Sequence, residues 1–211
     1  MNKKGRLIVI SAPSGAGKTT LVRALLNVNP DFEFSISYTT RQQRPGEING
    51  RDYLFVDREK FAQLKAQGEL LESAEVFDNH YGTARSQVEE KLAKGQNVIL
   101  EIDWQGARQV RAAVKDCRSI FVLPPSVSSL RGRLESRKTD SQEVIERRLR
   151  DSLDDLSHWD EFDYIVVNDD LATATKELEG LATGRLRRNR VGTKTTAAKV
   201  AAIIADDARS R

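Results

Sequence analysis

Apolar residues in this chain fall into two rhythms. Short runs such as Leu7-Ile8-Val9-Ile10, Val98-Ile99-Leu100-Glu101-Ile102, Ile120-Phe121-Val122-Leu123 and Tyr164-Ile165-Val166-Val167 have the length and β-branched content of strands buried on both faces. Between them the apolar positions recur at helical spacing. The pattern predicts a helix from about Lys18 to Leu26, stopping near Asn27 and before Pro30, and others over Gln105 to Val114 and Leu171 to Leu186. Val127, Leu130 and Leu134 share one helical face. Asp140-Ser141-Gln142-Glu143 resembles a capping box opening a helix that carries Val144, Ile145, Leu149, Leu153 and Leu156. Buried strands separated by helices imply a parallel sheet covered on both faces.

The stretch over residues 38–90 breaks this rhythm, with short strands at hairpin spacing. Phe34 to Tyr38 alternates like a strand and leads into a polar loop, Thr39 to Glu47, with turns at Pro45-Gly46 and Asn49-Gly50. Tyr53 to Val56 reads as a strand, and Asp57 can cap a helix through Ala66 that Gly68 closes. Leu70 to Phe77 is strand-like, Asp78-Asn79 turns the chain, and a short helix runs to Lys94 with Gly95 as its stop. Beyond Arg185 the chain is basic and then alanine-rich from Thr195 to Ala205, which predicts a short terminal helix.

Composition narrows the class. At 211 residues the chain can bury one good core with a small inserted subdomain, and 39% hydrophobic with 31% charged residues fits a globular chain rather than a disordered or membrane one. Cys117 is the single cysteine, which excludes an internal disulfide framework and a cysteine-based metal cluster. Lys3-Lys4-Gly5-Arg6 precedes an apolar run that stops at Ile10, shorter than the roughly 7–15 residues of a signal core. The chain therefore reads as cytoplasmic, with no membrane partner. A formal charge of +3 is too small to argue for nucleic acid.

The densest chemistry lies after the first strand, in Ser11-Ala12-Pro13-Ser14-Gly15-Ala16-Gly17-Lys18-Thr19-Thr20. Strand, glycine-rich turn and helix form the setting of a phosphate-binding loop. Gly15 and Gly17 allow several N–H groups to converge, and the helix N-terminus adds positive potential. Lys18 can reach the outer phosphates and the Thr19 hydroxyl can ligate Mg²⁺. Ala12 stands where the strict pattern has its first glycine. An ordinary strand-to-helix glycine turn is the alternative.

Carboxylates and arginines gather elsewhere. Glu101 and Asp103 end the Val98–Ile102 run, where a carboxylate could hold a metal or its waters, or simply cap the next helix. Arg41 and Arg44 could clamp a phosphate, with Tyr53 and Tyr81 adding hydroxyls, though loop arginines are commonly solvated surface. A second group, including Arg131, Arg133, Arg137, Arg148 and Arg150, flanks the Lys138-Thr139-Asp140 turn; a closing helical hairpin could bring such charge over a migrating phosphoryl group.

In order and spacing, Ser11 to Thr20, Thr39-Thr40-Arg41 with Arg44-Pro45-Gly46-Glu47, Gly50 and Tyr53, then Tyr81-Gly82-Thr83, Ile102-Asp103-Trp104-Gln105-Gly106 and Val167-Asn168-Asp169-Asp170 resemble the bacterial guanylate kinases. The resemblance spans about residues 6–188. It implies an α/β fold: a P-loop NTPase core with a parallel sheet covered by helices, an inserted small GMP-binding α+β subdomain, and a helical lid. On that plan residues 1–37, 91–125 and 157–190 form the core, 38–90 the GMP-binding subdomain, 126–156 the lid, and 191–211 a tail. The implied reaction is Mg²⁺-dependent transfer of the γ-phosphoryl group of ATP, the co-substrate, to GMP and dGMP by direct in-line displacement.

The same resemblance implies site roles. Ala12, Pro13, Ser14, Gly15, Ala16, Gly17, Lys18, Thr19, Thr20 and Asn168 would bind ATP. Arg41, Arg44, Tyr53 and Tyr81 would hold the GMP phosphate, Glu47 would belong to the GMP site as well, and Ser37, Glu72, Thr83 and Asp103 would read the guanine. Lys18, Arg41, Arg133, Arg137 and Arg148 would be catalytic, with Thr19 and Glu101 toward the metal. Departures from the family pattern are Ser136-Arg137-Lys138 for Gly-Arg-Gly in the lid, Glu101 for an aspartate, and Tyr38 for a small residue. Two other classes are weighed beside the kinase. Non-catalytic guanylate kinase-like binding modules lack the loop lysine and lid arginines present here, and a sugar-phosphate acceptor is disfavoured by Glu72 and Asp103. Nucleic acid is not expected as a partner, and homo-oligomerisation is left open.

Overall fold

In the computed structural model, which describes residues 5–76, 78–135 and 142–209, the chain divides into two compact units, 1–9 with 30–118 and 10–29 with 119–211. A five-stranded sheet runs in the order β2-β7-β1-β8-β9 and a four-stranded sheet in the order β4-β3-β6-β5. Strand β1 (Leu7–Ser11) is buried along its whole length, as its unbroken apolar run requires.

In the first unit β2 (Phe32–Phe34) pairs in parallel with β7 (Asn97–Glu101). The small sheet follows: β3 (Tyr38–Thr39) is parallel to β4 (Leu54–Phe55) and antiparallel to β6 (Asn79–Ala84), which pairs antiparallel with β5 (Leu70–Val76). The alternating run from Phe34 to Tyr38 is therefore not one strand. Phe34 ends β2, the Ser35 N–H still donates to Ile99, and Tyr38 begins pairing in the other sheet. One amphipathic run can serve two sheets because each needs only a few residues of it.

Helix α2 (Arg58–Ala66) starts at Asp57, whose carboxylate accepts the Lys60 N–H at 2.7 Å. Its Phe61 and Leu64 pack with Leu70 against Tyr38 and Val56, forming a small core on the four-stranded sheet. Helix α3 (Arg85–Ala93) is stopped by Gly95 at φ +81°. Helix α4 (Trp104–Ala113) begins at Asp103, which settles the alternative left open above: Asp103 lies beyond the end of β7 and caps the helix through Gly106 N–H at 2.8 Å.

In the second unit α1 (Lys18–Val28) extends past Leu26 and packs on α7 (Leu171–Thr183), with Asn29 donating to Glu179 at 2.9 Å. Strand β8 (Arg118–Leu123) pairs in parallel with β9 (Tyr164–Val167). Helix α7 stops at Thr183 rather than Leu186, because Gly184 turns left-handed at φ +82° and Leu186 folds back to donate its N–H to Gly180. Helices α5 (Val127–Glu135) and α6 (Gln142–Ser157) pack together, linked by Arg131 and Glu146 at 2.6 Å. Asp140 and Ser141 of the expected capping box lie outside the described residues.

The basic tail is structured. Val191 N–H donates to Asp163 and Ile165 N–H to Asn189, so residues 189–191 run antiparallel along β9. Helix α8 (Lys194–Arg209) follows, capped by the Thr193 hydroxyl, and turns Thr196, Val200 and Ile203 inward while packing on α5.

Candidate functional site

The chemistry-bearing residues form two sets, one in each unit. In the second unit, Gly15 and Gly17 both adopt φ +85°, the left-handed conformation in which glycine carries no steric penalty. The Ala16 N–H closes a turn onto Pro13 at 3.2 Å, and Gly17 leads into α1. Lys18 is half-buried at the first helical position, and Thr19 and Thr20 are exposed beside it.

The backbone carbonyls of this loop are held from outside. Ser14 O accepts from the Ser152 hydroxyl of α6 at 3.1 Å. Ala16 O accepts from Asn168 Nδ2 at 2.8 Å and from Arg133 Nη1 at 3.1 Å, while Arg133 Nη2 donates to Asn168 O at 3.1 Å. In a planar trans peptide the C=O and the following N–H point in opposite directions. Fixing Ser14 O and Ala16 O therefore fixes the Gly15 and Gly17 N–H groups toward the other side, where an anion would sit. A side chain at Gly17 would lie 2.5 Å from Asn168 Nδ2, so the glycine is required by packing as well as by φ.

Asn168, just beyond β9, is thus tied to the loop, as its position at a strand end allows. Arg133, expected over phosphates, bonds loop and strand-end carbonyls in this structure. Arg148 is half-buried on α6, one turn before Ser152. Arg137 lies outside the described residues, as do Ser136 and Lys138.

In the first unit, Glu72 is 3% exposed, and Thr83 directly across the β5–β6 ladder donates its hydroxyl to Glu72 Oε1 at 2.7 Å. A register shift between Leu70 and Glu72 bends β5 at this point. Asp103 comes to the same region through α4, since a side chain at Gly106 would meet both Glu72 Oε2 and Asp103 Oδ1. Ser37 is buried immediately before β3. A buried carboxylate, a half-buried one and two hydroxyls make a set rich in acceptors, suited to a ring that presents N–H donors.

A cationic cluster is built on the loop that follows β3. Arg41 forms a two-pronged pair with Glu47, at 2.8 Å and 3.1 Å, and lies over the Tyr53 ring at 5.3 Å. Arg44 N–H donates to the same Glu47 carboxylate at 2.8 Å. Glu47 therefore orients the Arg41 side chain and pins the Arg44 backbone, and its hydrogen bond from Arg41 holds its carboxyl below the usual range. Tyr53 and Tyr81 meet edge to face at 6.0 Å. Burial, reinforced by the nearby Glu101 carboxylate, pushes the Tyr53 phenol up to about 12, so it stays a neutral donor at any physiological pH.

Sequence reasoning found these side chains but missed Ser152 and the pairing of Glu47 with Arg41. An i, i+6 loop pair has no periodic signature, and a serine inside a helix looks like filler. Among the described residues no group of three or more His, Cys, Asp or Glu could hold a metal ion by itself, and no helix is long and apolar enough to cross a membrane.

The profile of the guanylate kinase family matches residues 4–183. The chain is 53% identical over 184 residues to the guanylate kinase of Alkalilimnicola ehrlichii, covering 87% of this chain and 91% of that one. It is 49% identical over 203 residues to the guanylate kinase of Methylococcus capsulatus, covering 96% and 98%. A crystal structure of guanylate kinase from Anaplasma phagocytophilum superposes with a TM-score of 0.74 at 32% identity, covering 95% of each chain.

Proposed function

The chain belongs to the guanylate kinase family, and we propose that it transfers the γ-phosphoryl group of ATP to GMP, and to dGMP, giving ADP and the nucleoside diphosphate. The observation that carries this reading is the buried Glu72, held by Thr83 and close to Asp103, in a chain that also builds a phosphate loop. Guanine presents N–H donors at N1 and N2 where adenine has none, so an adenine ring would leave these acceptors unpaired.

The residues then divide the work. Ser37, Glu72, Thr83 and Asp103 read the base, while Arg41, Arg44, Tyr53 and Tyr81 hold the GMP phosphate, with Glu47 keeping Arg41 in place. Residues 38–90 form the GMP-binding subdomain, 126–156 the lid, and 1–37, 91–125 and 157–190 the core. The loop from Ala12 to Thr20 cradles the ATP phosphates, with Lys18 as its mobile charge and Asn168 beside the adenine. Arg137 and Arg148 cover the donor phosphates, while Arg133 braces the loop through its bonds to Ala16 O and Asn168 O. The reaction needs positioning and charge rather than a covalent intermediate.

The donor set suits Mg²⁺. A threonine hydroxyl and a carboxylate are hard oxygen ligands, and this ion keeps several waters and takes few protein groups. The Thr19 hydroxyl at the start of α1 would hold it, with Glu101 assigned to it by the family resemblance, and when bound it would neutralise charge on the phosphate oxygens. The test is ADP formation from ATP and Mg²⁺ with GMP, dGMP, AMP, UMP and a sugar phosphate offered in parallel. Turnover confined to the guanine nucleotides is expected. Turnover with the sugar phosphate alone would overturn the acceptor, and ATP binding without any turnover would leave a binding module.

A further inference from the structure

We infer that Gly106 determines base specificity, acting through Glu72: the side chain it lacks is the space in which the Glu72 carboxylate is seated. This rests on the reading of Glu72 and Asp103 as guanine acceptors. Gly106 is the third residue of α4 and is buried, and a glycine inside a helix costs about 1 kcal/mol relative to alanine, so a packing reason is expected. A Cβ built there would collide with Glu72 Oε2 and lie 3.1 Å from its Cδ and 3.2 Å from Asp103 Oδ1. The Gly106 N–H meanwhile donates to Asp103 Oδ1 at 2.8 Å. One residue therefore sets both acceptors, Asp103 through its amide and Glu72 through its empty face.

Neither neighbour can step aside cheaply. Glu72 is buried and tied to Thr83 at 2.7 Å. One turn along α4, Gln109 accepts from Ser73 N–H at 3.0 Å and donates to Ser73 O at 2.8 Å, so the helix is clamped to β5 beside Glu72. The backbone of Gly106 is not among the positive-φ residues, so alanine is compatible with the helix and even favoured by it. The strain of Gly106→Ala falls on the Glu72 carboxylate rather than on the fold.

The test measures kcat/KM for GMP and for IMP, whose base lacks the 2-amino donor, in the parent, Gly106→Ala, Glu72→Ala and the double variant, with a melting temperature for each. Displacing one buried, charge-assisted hydrogen bond predicts a loss of about ten- to hundredfold for GMP. That loss is carried by KM for GMP, with KM for ATP unchanged. IMP loses less, so the preference narrows, and in the Glu72→Ala background Gly106→Ala has no further effect. A preserved GMP-to-IMP ratio or losses that multiply in the double variant would each overturn the inference. A parent enzyme indifferent to GMP and IMP would instead overturn the base-reading roles of Glu72 and Asp103, and this inference with them.

Discussion

Individual residues here do work that their type alone does not announce. Tyr53 keeps its proton in the folded chain to about 12, chiefly because it is buried. An unfolded chain would release that proton near 10, so as pH rises from about 10 to 12 unfolding becomes coupled to proton release and stability falls. A late phenolate absorbance step is therefore expected, and it should vanish in Tyr53→Phe. Lys18 supplies the loop's only side-chain cation in Ser11 to Thr20. Lys18→Ala should lower kcat by about 10²–10³-fold, the scale for removing one charge-stabilising donor, with circular dichroism and melting unchanged. A smaller loss would mean the lysine is not over the transferred group. Lys18 and Asp103 were legible in the sequence because a motif and a strand end mark them, whereas Glu72 was reached only through the family resemblance. The Arg41–Glu47 fork was not, because a non-helical loop has no period from which facing pairs can be read.

Elements add constraints that no single residue carries. The phosphate loop has its inward amides set by donors on α6, α5 and the end of β9, so its shape depends on segments far along the chain. The Ser152 hydroxyl has one proton for two carbonyls, Arg148 at 2.7 Å and Ser14 at 3.1 Å, and it is fully buried. Ser152→Ala should raise KM for ATP about two- to tenfold, the worth of one neutral hydrogen bond, and leave KM for GMP alone. Equal changes in both would mark a general packing defect instead. The elements themselves were largely visible as patterns: the buried runs became β1, β7, β8 and β9, and the Asp57 and Gly68 signals bounded α2. The misreadings share a cause. The Phe34–Tyr38 run and the end of α7 are decided by partners, Ile99 and Gly82 in one case and Leu186 returning to Gly180 in the other, and partners are not written in local periodicity.

At the scale of the whole molecule, the basic tail proved to be part of the second unit's architecture. Helix α8 seats Val200 at 1% exposure and packs on α5. Val200→Asp should destabilise by about 2–4 kcal/mol, since it buries an unpaired charge, and lower the melting temperature roughly 5–15 °C in a chain of this size. An unchanged melting curve would show α8 to be dispensable. Before α8 begins, residues 189–191 close the outer side of β9 with backbone hydrogen bonds. A run of Tyr164, Ile165, Val166 and Val167 with an open edge is a template for pairing with another chain. During synthesis that edge emerges before the segment that covers it, so for the interval in which α7 is being made the nascent chain carries this apolar edge uncovered. Truncated messages ending between α7 and Asn189 would yield chains whose uncovered β9 edge is available to pair with another copy.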